Sequence, residues 1–404
     1  MSRAPLTVVG IGADGWNGLC EAARAAVLSA ELIVGSERQL ALVPPTAAVR
    51  RPWPTPIDGL VEELVAGRAG PVCILSSGDP MLHGIGATLA RRIDRDRLTV
   101  HPHPSAFAFA CARLGWPSAE TELVSAVARP VEALARLLQP GRRVIVYVAG
   151  EQGAREVARV LRERGFGPSR LVVLEQLGGP DERIVDSTAE EWGERSVRTL
   201  HAVAVECRAA PGTSPLACTP GLRDSAYEND GLLTKQEVRA ITLAVLAPMP
   251  GELLWDVGAG SGSIAIEWLR AEATARAIAV EARADRAERA VRNARVLGVP
   301  TIEVVCGKAP RALVGLDRPD AVFVGGGLTT PGLLDSCWRE LRPGGRIVAN
   351  AVTLEGEQVL QAACAAHGGR LVRIAVSRAE PVGGFTSWRP QLPVVQWSAR
   401  KEGE

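Results

Sequence analysis

Short apolar runs alternate with stretches of helical period along the whole chain. Leu6-Thr7-Val8-Val9 is apolar and ends in Gly10-Ile11-Gly12, which reads as a strand closed by a turn. A helix is expected over 19–28 and strands over 32–34 and 72–75, the last broken by Ser76-Ser77-Gly78-Asp79-Pro80. Strands over 143–148 and 170–174 flank a helix over 155–164, and a strand over 201–206 closes this half.

Residues 211–231 lack either period and are rich in Pro, Gly, Ser and Thr, so a linker is expected there. Beyond it the alternation resumes, with a helix over 235–246 and a strand from Leu253. An amphipathic run at 264–269, a strand at 277–280 and a helix over 283–297 follow. Further strands are expected at 302–306, 321–324, 346–350, 370–376 and 394–397, making seven with a late antiparallel pair. Strand–helix alternation on both sides of the linker places the chain in the α/β class, with domains over 1–210 and 232–404.

The strongest chemical signal is Asp256-Val257-Gly258-Ala259-Gly260-Ser261-Gly262-Ser263, lying between an apolar strand and an amphipathic helix. Glycines spaced by two let backbone approach a ligand where a Cβ would collide. Glu281 ends the next strand, where a carboxylate can accept hydrogen bonds from both hydroxyls of a ribose. The nicotinamide pattern wants its third glycine one position later than Gly262, where Ser263 stands. The acid Asp256 repels a pyrophosphate and favours an amino group and a sulfonium cation. The spacing and the acid together point to S-adenosylmethionine, with an NAD-dependent oxidoreductase as the alternative.

Composition narrows the classes. Forty-six basic residues against 45 acidic ones leave a net charge of +1, which gives no electrostatic case for nucleic acid or a membrane surface. The eight cysteines form neither a Cys-x-x-Cys pair nor a zinc-spaced cluster, so no metal is expected and a reducing cytoplasm is. No signal peptide and no apolar stretch of membrane length is visible. A homo-oligomer is expected.

Val8-Val9-Gly10-Ile11-Gly12, Ser77-Gly78-Asp79-Pro80, Gly84-Ile85-Gly86 and Pro102-His103-Pro104-Ser105-Ala106 occur in that order. The series resembles the tetrapyrrole methylases over roughly residues 4–208. The resemblance implies a two-lobed α/β fold with S-adenosylmethionine bent between the lobes. It brings in Gly10, Gly12, Gly78, Asp79, Pro80 and Ser105 as cofactor-side residues.

Thr234-Lys235-Gln236-Glu237, the glycine motif, Cys306-Gly307-Lys308-Ala309-Pro310, Val324-Gly325-Gly326-Gly327 and Pro343-Gly344-Gly345 form a second series. It is similar to the decarboxylating precorrin methyltransferases, which have the class I (Rossmann-like) methyltransferase fold, over about residues 225–400. The resemblance implies Thr234, Asp256, Gly258, Ala259, Gly260, Ser261, Gly262, Glu281, Gly307 and Ala309 as cofactor-binding residues. The sequence departs from the family in having Glu281 where Asp is frequent, and Lys308 where many methyltransferases have Asp.

A fusion of the two families implies cobalamin biosynthesis: precorrin-6Y methylated at carbons 5 and 15 and relieved of its ring C acetate carboxyl, giving precorrin-8x. By the same resemblance the second half acts at carbon 15 and decarboxylates, and the first acts at carbon 5. Such chemistry needs alignment and a dry pocket more than a strong base. A tetrapyrrole polycarboxylate calls for cations, and Lys235 and Lys308 are two of only three lysines, both inside motifs. Arg239, Arg378 and Arg389 are further candidates, though each taken singly reads more readily as a solvated surface arginine. Glu237 is a candidate proton-transfer group or simply a helix N-terminal acid. His83 lies within the Gly-Asp-Pro segment and could touch a ligand.

Overall fold

The structure is a computed structural model that describes residues 5–67 and 70–403. The chain divides into two compact units, one running to residue 131 and including 140–213, the other made of 132–139 and residues from 214 onward.

The first unit holds two five-stranded sheets. In the first, strands Val49–Pro52, Leu32–Gly35, Val72–Ser77, Leu6–Ile11 and Leu98–His101 lie side by side in that order, all parallel. Leu6–Ile11 and Val72–Ser77 are almost entirely buried, as central strands covered on both faces must be. The second sheet runs Thr121–Ser125, Arg143–Tyr147, His201–Glu206, Arg170–Glu175, Arg183–Thr188, with only its first pair parallel. Helix Gly153–Glu163 buries Val157, Val160 and Leu161 along one stripe.

The second unit is built on a seven-stranded sheet, ordered Glu303–Cys306, Arg276–Glu281, Leu253–Val257, Ala321–Val324, Arg346–Ala351, Val394–Arg400, Arg370–Ile374. The first five strands are parallel, and Val394–Arg400 inserts antiparallel between the last two neighbours. This is the doubly wound α/β arrangement the alternation predicts, with its order reversing between Leu253–Val257 and Ala321–Val324. Ligands sit at such a reversal, outside the carboxyl ends of the strands. Leu254 and Phe323 face one core, Trp255 and Val322 the other. Burying each such side chain contributes about 1.5–3 kcal/mol.

Several elements escape the periodicity reading. Val49–Pro52, Thr121–Ser125 and Arg183–Thr188 are short and half-exposed, with too few apolar positions to mark a period. The hairpin Ser377–Val382/Phe385–Pro390 is largely exposed. Within the stretch read as a linker, Leu222 and Tyr227 are buried in the second unit's core. The Glu267 carboxylate accepts from the Leu222 amide at 3.1 Å and the Tyr227 hydroxyl at 2.9 Å. Glycine and proline mark irregular backbone there, which is a separate matter from packing. No helix among the described residues is long and apolar enough to cross a membrane.

Candidate functional site

In the second unit a cavity of about 720 Å³ opens at the carboxyl ends of the central strands. Its wall begins at the glycine turn. Gly258 has φ +75°, and a Cβ there would lie 2.6 Å from the Gly326 backbone, so the loops after the two central strands meet only because neither carries a side chain. A Cβ at Gly260, with φ +58°, would meet nothing nearer than the Leu232 carbonyl oxygen at 3.8 Å. The Gly260 amide donates to Glu281 Oε2 at 2.8 Å, while Oε1 accepts from the Arg283 amide at 2.9 Å. These bonds fix the carboxylate at the cavity wall with lone pairs to spare for two hydroxyls. A bare-backbone turn beside a clamped carboxylate fits the sugar and chain of S-adenosylmethionine.

Thr234, Lys235, Gly258, Gly260, Glu281, Gly307, Lys308 and Ala309 all line this cavity. Among the described residues neither the Lys235 nor the Lys308 ammonium has a hydrogen-bond or ion-pair partner. Gly325, Gly326 and Gly327 complete the wall, and Val352, Ile374, Val376 and Val394 make one side apolar.

Other expected residues stand behind the wall. Asp256 is 1% exposed and turns toward the following helix, where Oδ2 accepts from the Ala265 amide at 3.0 Å. Burial pushes its carboxyl up to about 7, against the lowering effect of that bond, and the Glu281 charge adds to the rise. Its hydrogen bond is to the helix start, and Oδ1 is buried without a hydrogen-bond partner among the described residues. Ser261 is buried, its carbonyl accepting from Asn293 Nδ2 at 3.0 Å, and Gly262 abuts Ala290. Ala259 packs against the core. These three shape the turn from behind.

The acid and arginine candidates pair with each other. Arg378 donates to Glu237 at 3.2 and 2.6 Å and holds its carboxyl below the usual range. Arg239 is fully buried, bound to Glu267, Asp224 and the carbonyls of Leu222 and Thr234. Arg389 donates to Glu380 on the exposed hairpin. Glu237 and these arginines do not line the cavity.

The first unit has its own cavity, about 410 Å³, lined by Gly12, Gly78, Asp79, Ser105, Phe109 and Tyr147 among others. Gly10 lies behind it: a Cβ there would sit 2.2 Å from the Gly78 carbonyl oxygen. Pro80 is buried and packs against Gly86. Asp79 Oδ1 accepts from the Met81 amide at 2.8 Å, and Ser105 caps helix Ala106–Leu114 through the Ala108 amide at 3.1 Å. Tyr147, whose hydroxyl accepts from the Phe107 amide at 2.8 Å, was not singled out by any motif. His83 lines the cavity in a left-handed conformation, φ +58°, edge-on to Tyr147. Burial and then the Arg129 charge lower its pKa. His103 instead pairs with Asp14 at 3.1 Å, and His367 stacks on Trp338. Among the described residues no group of three or more His, Cys, Asp or Glu is placed to hold a metal ion.

Comparison with known proteins matches a different family to each half of the chain. Residues 5–193 match the tetrapyrrole (corrin/porphyrin) methylases, and residues 225–401 match the precorrin methyltransferase domain. The chain is 45% identical over 397 residues to the precorrin-6Y C(5,15)-methyltransferase (decarboxylating) of Sinorhizobium sp, covering 98% of this chain and 96% of that one. The chain belongs to the decarboxylating precorrin-6Y C(5,15)-methyltransferase family.

Members of this family are enzymes, and this chain is an S-adenosylmethionine-dependent C-methyltransferase acting on a precorrin. Two shorter relatives bear on its construction. The cobalt-precorrin-7 C(5)-methyltransferase of Salmonella typhimurium is 33% identical over 179 residues, 44% of this chain and 88% of its own. A protein of Pyrobaculum calidifontis named "Probable cobalt-precorrin-6B C(15)-methyltransferase (decarboxylating)" is 36% identical over 187 residues, 44% of this chain and 93% of its own.

Proposed function

We propose that the two units divide the work, each holding its own molecule of S-adenosylmethionine. The second unit methylates carbon 15 of precorrin-6Y and removes the ring C acetate carboxyl; the first methylates carbon 5, and the product is precorrin-8x. The observation that carries this reading is a pair of cavities, each lined by the motif residues of its own unit. Relatives named for one reaction, each matching under half of this chain, support it.

When bound, the donor supplies an electrophilic methyl group on a sulfonium. In the second unit Glu281 takes the ribose hydroxyls, the Gly258–Gly260 backbone lies along the donor, and Lys235 and Lys308 hold substrate carboxylates as charge-assisted pairs. In the first unit Gly12, Gly78, Asp79 and Ser105 flank the donor through a tight turn and a helix cap.

Mass spectrometry of precorrin-6Y incubated with the full chain tests the division. A Cβ at Gly12 would lie 2.5 Å from Asp14 Oδ1 and 2.5 Å from His103 Cε1, so Gly12→Val is expected to disrupt the wall of the first cavity alone. Its expected product has gained one methyl and lost carbon dioxide. Glu281→Ala is expected to end carbon dioxide release. Undiminished release from that variant would defeat the reading.

A further inference from the structure

Four polar side chains that no motif contains border the second cavity: Arg286, Thr330, Asn350 and Gln391. Asn350 is next to last in strand Arg346–Ala351 and lines the cavity, as do Val352, Ile374, Val376 and Val394. It faces Gln396 across the antiparallel pair, and both reach Thr242 on helix Gln236–Leu246.

The hydrogen bonds fix which end of each amide points where. The Thr242 hydroxyl gives its proton to the Val238 carbonyl at 2.8 Å, so it can only accept from the two amides. It accepts from Gln396 Nε2 at 3.0 Å and from Asn350 Nδ2 at 3.1 Å. Gln396 Nε2 also donates to Asn350 Oδ1 at 2.9 Å. Thr242 and Gln396 are buried, at 0% and 3% exposure. Asn350 is therefore held in one rotamer and one flip state, with one N–H left over at the cavity. Buried networks satisfied in this way are rigid.

The same cavity holds two unpaired ammonium groups, Lys235 and Lys308. The substrate has several carboxylates, of which one is lost. An ammonium beside the departing carboxylate would stabilise the reactant and lose that contact as the charge leaves in neutral carbon dioxide. Such binding is stronger in the ground state than in the transition state and slows the step. A neutral donor on an apolar wall orients a carboxylate without anchoring its charge.

We infer that Asn350 holds the acetate carboxyl that is removed, while the lysines hold carboxylates that stay. The inference rests on the second unit being the decarboxylating one. In the step, the bond between the methylene carbon and the carboxyl carbon breaks and carbon dioxide departs. The electron pair passes into the conjugated macrocycle, and a proton from water restores a C–H bond at the methylene, turning acetate into methyl. Asn350 contacts the reacting group; Thr242 and Gln396 position it.

The test uses the full chain with precorrin-6Y and donor, and reads carbon dioxide released per methyl placed on carbon 15. The wild-type ratio is one. Asn350→Ala, which removes the donor, is expected to lower the ratio about tenfold and to accumulate the methylated acid. Asn350→Asp keeps the shape and adds repulsion, and is expected to lower it further. Titration with S-adenosylhomocysteine confirms that the second cavity still forms in each variant. A ratio that stays at one in either correctly folded variant overturns the inference and leaves the division of labour standing. Continued carbon dioxide release from Glu281→Ala would instead overturn both.

Discussion

The two cavities offer different means of holding the donor proposed for each. In the second unit a carboxylate borders the cavity: Glu281 is clamped by the Gly260 and Arg283 amides at 2.8 and 2.9 Å. In the first unit the comparable acid, Asp79, spends its Oδ1 on the Met81 amide within its own turn. Backbone does the work there, from strand ends packed so closely that a Cβ on Gly10 would meet Gly78. The difference extends to charge. The second cavity carries two uncommitted lysines, whereas Arg38 at the first donates to Ser77 Oγ at 2.9 Å. On the proposed division of labour one reaction type uses two unrelated cradles, since methyl transfer asks for alignment and dryness and leaves the means open.

The sharpest way to break the comparison is at the glycine turn. Gly258→Ala must hold alanine at φ +75° and push a Cβ to 2.6 Å from Gly326 backbone, which has no side chain to move aside. Carbon 15 methylation is expected to fall more than about 100-fold, with S-adenosylhomocysteine stoichiometry dropping from two to one. Gly260→Ala has a similar φ, +58°, but its nearest neighbour is the Leu232 carbonyl oxygen at 3.8 Å. It is expected to lose about tenfold at most, measured by the same titration. Equal losses from the two would mean that backbone strain, and not the meeting of two loops, sets the turn.

The next effect is on stability and belongs to the second unit alone. Asp256 has its carboxyl raised to about 7 by burial. A carboxyl with a raised folded pKa binds its proton more tightly folded than unfolded. Stability is then undiminished below about pH 4, falls as pH rises toward 7, and levels off above. The full span is on the order of 4 kcal/mol. Asp256→Asn removes the ionisation, so its melting temperature should match the wild type only below about pH 4, exceed it modestly at pH 5 and exceed it most at pH 8. Calorimetry on the full chain, following the transition that S-adenosylhomocysteine shifts in Gly12→Val, checks this. A wild-type transition insensitive to pH between 5 and 8 would show the carboxyl to be ionised in the folded state.

What the sequence made legible follows from the kind of constraint each residue obeys. Gly258, Gly260 and Glu281 answer local demands of a strand–turn–helix unit, and their spacing announces them. Asp256 obeys the same motif, yet its burial depends on which way the strand end turns its side chain, and the motif does not encode that. Arg239 and Arg378 looked available for substrate because their partners, Glu267, Asp224 and Glu237, are assigned only by packing. Asn350 was invisible for the same reason: Thr242 and Gln396, which fix it, are 154 positions apart. Within 211–231 composition reported the irregular backbone correctly and said nothing of Tyr227 in the core.

The smallest expected effect probes the charge difference between the cavities. Lys235 and Lys308 have no protein partner among the described residues, so removing either leaves no buried acid stranded. Lys308→Met and Lys235→Met should therefore leave stability within about 0.5 kcal/mol, as for ordinary exposed substitutions. Each should raise KM for the carbon 15 reaction about tenfold, the loss of one charge-assisted contact, with kcat nearly unchanged. Because both ammoniums are partly open to solvent, added salt should raise the same KM in the wild type and have less effect on the doubly substituted chain. Steady-state kinetics at two ionic strengths measure both. A kcat loss without a KM change would move the lysines from holding the substrate to acting on its transition state, and the first cavity, which has no such lysine, would then need another source of the same stabilisation.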